Sequence, residues 1–157
     1  MSAEKQDVIG AIRDAQREVE KLVPSVSASA WSGQAYEQGW NGKQLLCHLA
    51  STSGIARFLI GMAQTPRSGG MGADFDIDTF NAQQVAARQD KQVDEVLEEV
   101  CANCRRDIES VENAPDNLMA QHIRAPWGTE GLLGDVIVSS IDEHFMTHVR
   151  DLAKAVA

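Results

Sequence analysis

Apolar residues recur along most of this chain at steps of three and four, the spacing that gathers one face of an α-helix. The strict alternation of a half-buried strand is nearly absent. From about Ser2 to Val23, the positions Val8, Ile12, Ala15, Val19 and Leu22 form one stripe, and Pro24 ends it. Ser25 to Gly39, rich in Ser, Ala and Gly and carrying Trp31 and Tyr36, is expected to be a loop. Asn41 is placed to cap a second helix, with Gln44 completing a capping box. That helix is expected to reach Met62 or Ala63, before Pro66. Arg67 to Ala73, with three glycines, is predicted to be the most flexible stretch.

Asp76 or Asp78 offers a cap for a third pattern that extends to about Val111, with Val93, Leu97, Val100, Cys104, Ile108 and Val111 on one face. At 1.5 Å per residue such a helix would exceed about 50 Å, longer than its partners require, so a kink or break is expected near Gln89–Gln92. Asn113 to Asn117 ends it. Gln121 to Gly128 is a connector able to form a short extended piece, and Thr129 is expected to cap a last helix running to about Ala155. The pattern predicts an all-α protein, a four-helix bundle in a single domain over residues 1–157.

Composition removes some classes of function. The net charge of −9, spread along the chain, argues against a nucleic-acid partner and against an anionic membrane surface. No apolar run is expected to approach the roughly 20 residues of a membrane span, and the first residues lack a signal peptide's apolar core. Three cysteines are too few and too odd for a disulfide framework, so a cytoplasmic location is expected.

Histidine placement changes the picture most. His144 and His148 are four apart on the last helix, so both rings can reach one ion. With about 100° of rotation per residue, they fall with Leu133, Ile137, Ile141 and Leu152 within an arc of roughly 100°. His48 sits at the edge of the apolar face formed by Leu45, Leu49, Thr52, Ala56, Leu59 and Ile60. Three inward imidazoles need partners for their ring nitrogens, and a metal ion supplies one for each. Asp151, one turn beyond His148, is a candidate acceptor for the ring nitrogen that the ion leaves free. The alternative is a set of hydrogen-bonded core histidines, since the H-x3-H spacing alone is weak evidence. A three-histidine site with an open position would be catalytic in type. A water held there would be activated for hydrolysis, and a thiol would be activated as a thiolate.

Other residues carry weaker signals. Arg57 and Arg88 could hold an anionic group of a substrate, and Trp31, Tyr36, Trp40 and Trp127 could wall a pocket; solvated arginines and packing aromatics would look the same. Cys101 and Cys104 share a helix face and are expected to be buried small side chains rather than a redox or zinc pair. Cys47 adjoins His48 but points about 100° away from it. His122 is expected to be exposed.

The segments Trp40-Asn-Gly-Lys-Gln-Leu-Leu-Cys-His48-Leu and Glu143-His144-Phe-Met-Thr-His148-Val-Arg-Asp151-Leu152 resemble the DinB-like superfamily. Asp76-Ile-Asp-Thr-Phe-Asn81 and Pro126-Trp127-Gly128-Thr129 are similar to connecting segments of the branch that includes mycothiol-dependent maleylpyruvate isomerase and related thiol S-transferases. The resemblance implies a DinB/YfiT-like four-helix bundle that binds a divalent metal, zinc or nickel, through His48, His144 and His148. It also implies a low-molecular-weight thiol and an electrophile as small-molecule partners, and pairing into homodimers. The isomerase branch has a carboxylate where this chain has His144, and it carries a further C-terminal domain. A metal-dependent hydrolase and a non-catalytic stress-response protein are the alternatives.

Overall fold

The computed structural model describes residues 3–33, 39–65 and 76–155. Ser2, Tyr36, Pro66 and the glycine-rich 67–73 stretch lie outside the described residues. The helices are α1 (Lys5–Leu22), α2 (Gly42–Thr52), α3 (Ile55–Gln64), α4 (Ile77–Ala86), α5 (Val93–Asn113), α6 (Leu133–Ser139) and α7 (Met146–Ala155). Helix α1 opens on a reciprocal pair in which Glu4 and Asp7 each accept from the other's backbone N–H. It buries Val8, Ile12, Ala15 and Val19, as its apolar stripe predicts. Single turns of 3-10 helix follow, one of them carrying the buried Trp31. The Asn41–Gln44 box also forms, with both hydrogen bonds at 2.9 Å.

Four rods make the bundle: α1, then α2 with α3, then α5, then α6 with α7. Helix α1 packs on α5 and on α6 and α7, while α2 and α3 pack on α5 and on α7 and α6 respectively. The first and second rods therefore stand on a diagonal, and so do the third and fourth. Leu45, Leu46 and Leu49 of α2, Leu59 of α3, Val96 and Val100 of α5, and Leu133, Ile137 and Leu152 of the last rod fill the centre.

The second rod departs from the expectation of one continuous helix. It breaks at Ser53–Gly54, because α5 supplies polar groups for the freed backbone. The buried Asp107 carboxylate accepts from Ala56 N–H at the start of α3 (3.1 Å), acting as an N-cap from another helix. Arg57 Nε lies 3.0 Å from the other Asp107 oxygen, and Arg57 Nη2 donates to Asn103 (2.8 Å). Asn103 in turn donates to Ser53 Oγ (2.9 Å). A Cβ on Gly54 would sit 2.8 Å from Arg57 Nη2, so glycine lets the guanidinium fold over the break. Burial pushes the Asp107 carboxyl up to about 7, against the pull of Arg57 and the helix amides.

The expected break in the third pattern occurs between α4 and α5. Arg88 spans it, with Nε on both Glu99 oxygens (2.9 and 3.1 Å), and Lys43 Nζ donates to Gln89 O (2.7 Å). Beyond α5, the connector forms a small antiparallel hairpin, β1 (His122–Arg124) with β2 (Glu130–Leu132), in the register Ile123 opposite Gly131. Gly128, at φ +99°, turns it. Thr129 consequently does not cap the last helix: its carbonyl accepts from Ala125 N–H inside the hairpin, and the helix starts at Leu133.

Composition alone also revises one exclusion. The Gly42–Gln64 stretch is long and apolar enough to cross a membrane, although more than half of it is buried in the bundle and it is broken at Ser53–Gly54.

Removing the Asp107 carboxylate uncaps α3 and leaves Arg57 unpaired. Asp107→Ala is expected to cost about 2–3 kcal/mol in urea unfolding, whereas Asp107→Asn, which keeps an acceptor for Ala56 N–H, should cost about half as much. Equal costs would show that the cap contributes nothing.

Candidate metal centre and its cavity

Two rods deliver the three histidines. His48 comes from the middle of α2, buried among Leu45, Leu46 and Leu49. The other two come from the last rod, where residues Ser140–Phe145 form a π-helical turn between α6 and α7. Met146 N–H reaches back five residues to Ile141 O, so the turn holds one residue more than an α-helix would. The core stripe then continues through Ile141, Phe145, Val149 and Leu152. His144 is not on that stripe, contrary to the helical projection. The inserted residue turns it out of the core, and its ring is exposed on a cavity wall. His148 stays buried.

The rings converge. One ligand atom from each of His48, His144 and His148 lies within 4.8 Å of the others. The Nε2 atoms of His144 and His148 are 3.2 Å apart. Two nitrogens at about 2.0–2.1 Å from one tetrahedral zinc would stand about 3.3 Å apart, so this pair is already at ligand spacing. The rings meet edge to face, with centroids 4.6 Å apart for His144–His148 and 4.7 Å for His48–His148. The Nδ1 atom of His48 is buried without a hydrogen-bond partner. An orphaned ring nitrogen among three clustered imidazoles is what a binding site for a divalent ion requires, and a donor set of three neutral histidines suits a divalent transition-metal ion.

Electrostatics keeps these rings neutral. Burial, and then the neighbouring His148 and His144, pull His48 down to about 3. Burial lowers His148 as well, with His144 adding to the effect and Asp151 opposing it. His144, although reached by solvent, is crowded enough by protein to be lowered too. Neutral imidazoles are the form that ligates. Asp151 Oδ2 lies 4.0 Å from His148 Nδ1, close enough to act through charge but beyond hydrogen-bond reach.

His144 opens onto a cavity of about 510 Å³, a size typical of small-molecule sites. Trp127 lines it and stacks on Phe58, with centroids 6.4 Å apart. Trp40 lies instead against His48, at 5.0 Å between centroids. The two arginines expected at the pocket are elsewhere: Arg57 is committed to Asp107 and Asn103, Arg88 to Glu99 and Gln84, and neither lines the cavity. Both hold helix breaks together. Trp31 is a core residue. Cys101 and Cys104 are buried, with thiols pushed up to about 12, chiefly by burial. Cys47 is buried and its thiol is raised for the same reason, while His122 is exposed. Sequence reasoning missed the cavity wall formed by Phe58, Ile77, Phe80 and Glu143. Phe58 and Ile77 were legible as large apolar residues off the core stripes.

The bundle and its histidine cluster define the class: an all-α four-helix bundle that gathers three imidazoles, one of them on a cavity wall. Residues 12–153 match the mycothiol maleylpyruvate isomerase N-terminal domain family, and the chain belongs to that family. No curated protein matches it by sequence. Solved structures that share its fold include the following three. YfiT from Bacillus subtilis, a probable metal-dependent hydrolase with an unusual four-helix bundle topology, is 13% identical, with a TM-score of 0.72 over 96% of this chain and 86% of that one. The colibactin self-resistance protein ClbS, in complex with dsDNA, is 11% identical, with a TM-score of 0.75 over 99% and 96%. A histidine-to-alanine mutant of the mycothiol-dependent maleylpyruvate isomerase is 10% identical, with a TM-score of 0.72; it is matched over all of this chain but only 64% of its own length.

The lowered His48 sets a pH dependence for the ion-free protein. Its unfolded ring protonates near 6.5 and its folded ring only near 3, so the unfolded state binds more protons between those values and stability falls as pH drops through them. Asp107, raised when folded, acts in the opposite sense between about 4 and 7. The comparison is therefore with His48→Gln, which retains Asp107. Thermal melts in chelator should lose stability less steeply below pH 6.5 in the variant than in the parent; parallel slopes would contradict the assignment.

Proposed function

We propose that the protein is a divalent-metal-dependent enzyme that activates a low-molecular-weight thiol for transfer to an electrophile. The observation that carries this reading is the convergence of His48, His144 and His148 at the edge of a mostly apolar cavity. Family membership supports the thiol, since the family takes its name from a mycothiol enzyme. When bound, the ion would supply a Lewis acid that favours the thiolate over the thiol at neutral pH.

The chain's own residues do the rest. The three imidazoles hold the ion, and Asp151 orients His148 through its charge. Leu49 and Phe145 belong to the core that keeps the buried side of the site dry. The Glu143 carboxylate lies on the cavity wall next in sequence to His144 and would accept the proton that the thiol gives up. The same carboxylate could serve a water, and the likeness to a probable metal-dependent hydrolase favours that second reading. The net charge of −9 supports small-molecule rather than nucleic-acid partners, and three free, buried cysteines accord with a cytoplasmic location.

Elemental analysis of purified protein should find about one zinc or nickel ion per chain, lost in His148→Ala. Adding a small thiol should then accelerate consumption of 1-chloro-2,4-dinitrobenzene by the metal-loaded protein alone. Ester cleavage without thiol would select the hydrolase. An ion-free protein would end both readings, and bound metal with neither activity would leave a metal-binding protein without turnover.

A further inference from the structure

The cavity beside His144 has a wall chemistry that specifies more than its volume. Three large apolar side chains stand out as exposed among the described residues: Phe58 (40%), Trp127 (41%) and Ile77 (42%). All three line this one cavity. Isolated exposed apolar residues are ordinary, but their convergence on one concave surface marks a binding site. Phe58 and Trp127 lie nearly parallel, 25° between planes, and their stacked pair makes this side of the cavity aromatic.

Charge and hydrogen bonding narrow the ligand further. Among the described residues, no lysine or arginine lines the cavity, and its titratable side chains are Glu143 and His144. Four hydroxyls on its wall, those of Ser51, Thr52, Ser139 and Ser140, have already spent their protons. Ser51 Oγ donates to His48 O (2.8 Å), Thr52 Oγ1 to Leu49 O (3.1 Å) and Ser140 Oγ to Val136 O (2.7 Å). Ser139 Oγ donates to Glu143 Oε2 (3.3 Å). These four groups face a ligand as acceptors, alongside a carboxylate. An anion brought against the part of this wall that carries Glu143 would meet a like charge.

We infer that the cavity takes a flat, uncharged aromatic or apolar group, and that the Glu143 carboxylate makes it prefer such a group to the corresponding carboxylate. This deepens the proposed function by naming the class of electrophile. It rests on that reading only for the ligand's role as a substrate, because the aromatic wall and the acceptor groups need no ion in order to bind.

The test is calorimetric titration of the full chain, metal-loaded and chelator-treated, with 2-naphthylmethanol and with its carboxylate counterpart, 2-naphthoate. In the chelator-treated protein the alcohol should bind about tenfold more tightly than the carboxylate, the penalty of one unmatched charge at a partly exposed wall. Trp127→Ala should weaken the alcohol by about fivefold or more through loss of the stacked face, and Glu143→Gln should narrow the gap between the two ligands. Equal or tighter carboxylate binding after chelation would overturn the inference. So would alcohol binding that ignores both Trp127→Ala and Phe58→Ala, or binding that disappears as the protein self-associates, which would mean that a second copy fills the cavity. Thiol transfer can fail while these results hold, so failure of the proposed function is separately visible.

Discussion

An imidazole brought into a helical core must find something for its ring nitrogens, or its burial costs more than its packing returns. Three of them meet here, delivered by two rods, and they serve one another poorly. His144 and His148 share a single short contact, and His48 Nδ1 has no partner. Burial and mutual repulsion make a proton a bad solution, because each ring is held below its ordinary pKa. A divalent ion accepts lone pairs without asking for protons, and the rest of the fold is arranged around that possibility.

Two irregularities make the arrangement work. The π-helical turn at Ser140–Phe145 shifts the register of the last rod, so that Phe145 goes to the core while His144 reaches the cavity. The break at Ser53–Gly54 ends α2 just after His48 and lets α3 set off with Phe58 on the cavity wall. That break is held by Asp107, Arg57 and Asn103, none of which touches the histidines. The two arginines that looked like substrate anchors are thus the groups that keep helix breaks in place.

Much of this was legible in the chain. Periodicity located the rods, the Asn41–Gln44 box marked the start of α2, and the excess length of the third pattern located a break before α5. The histidine positions alone indicated the cluster. What stayed hidden depended on contacts between distant residues. Asp107 caps a helix some fifty positions away, which no local pattern records. The π turn leaves no mark in hydrophobic spacing, because Ile141 and Phe145 are apolar in either register. Thr129 resembled a helix cap and went to a hairpin, since Gly128 could turn the chain at positive φ. The cavity wall is built from apolar residues lying off the stripes, which pattern reading discards as surface.

The central claim is that His48, His144 and His148 are ligands of one ion. X-ray absorption at the metal edge of the purified protein measures this directly. The account predicts an ion whose inner shell contains three imidazole nitrogens, at about 2.0–2.1 Å if it is zinc, with a fourth position filled by an oxygen ligand that gives way to sulfur when a thiol is added. A shell with fewer than three imidazoles, or one unchanged by substitution of His48, would contradict it.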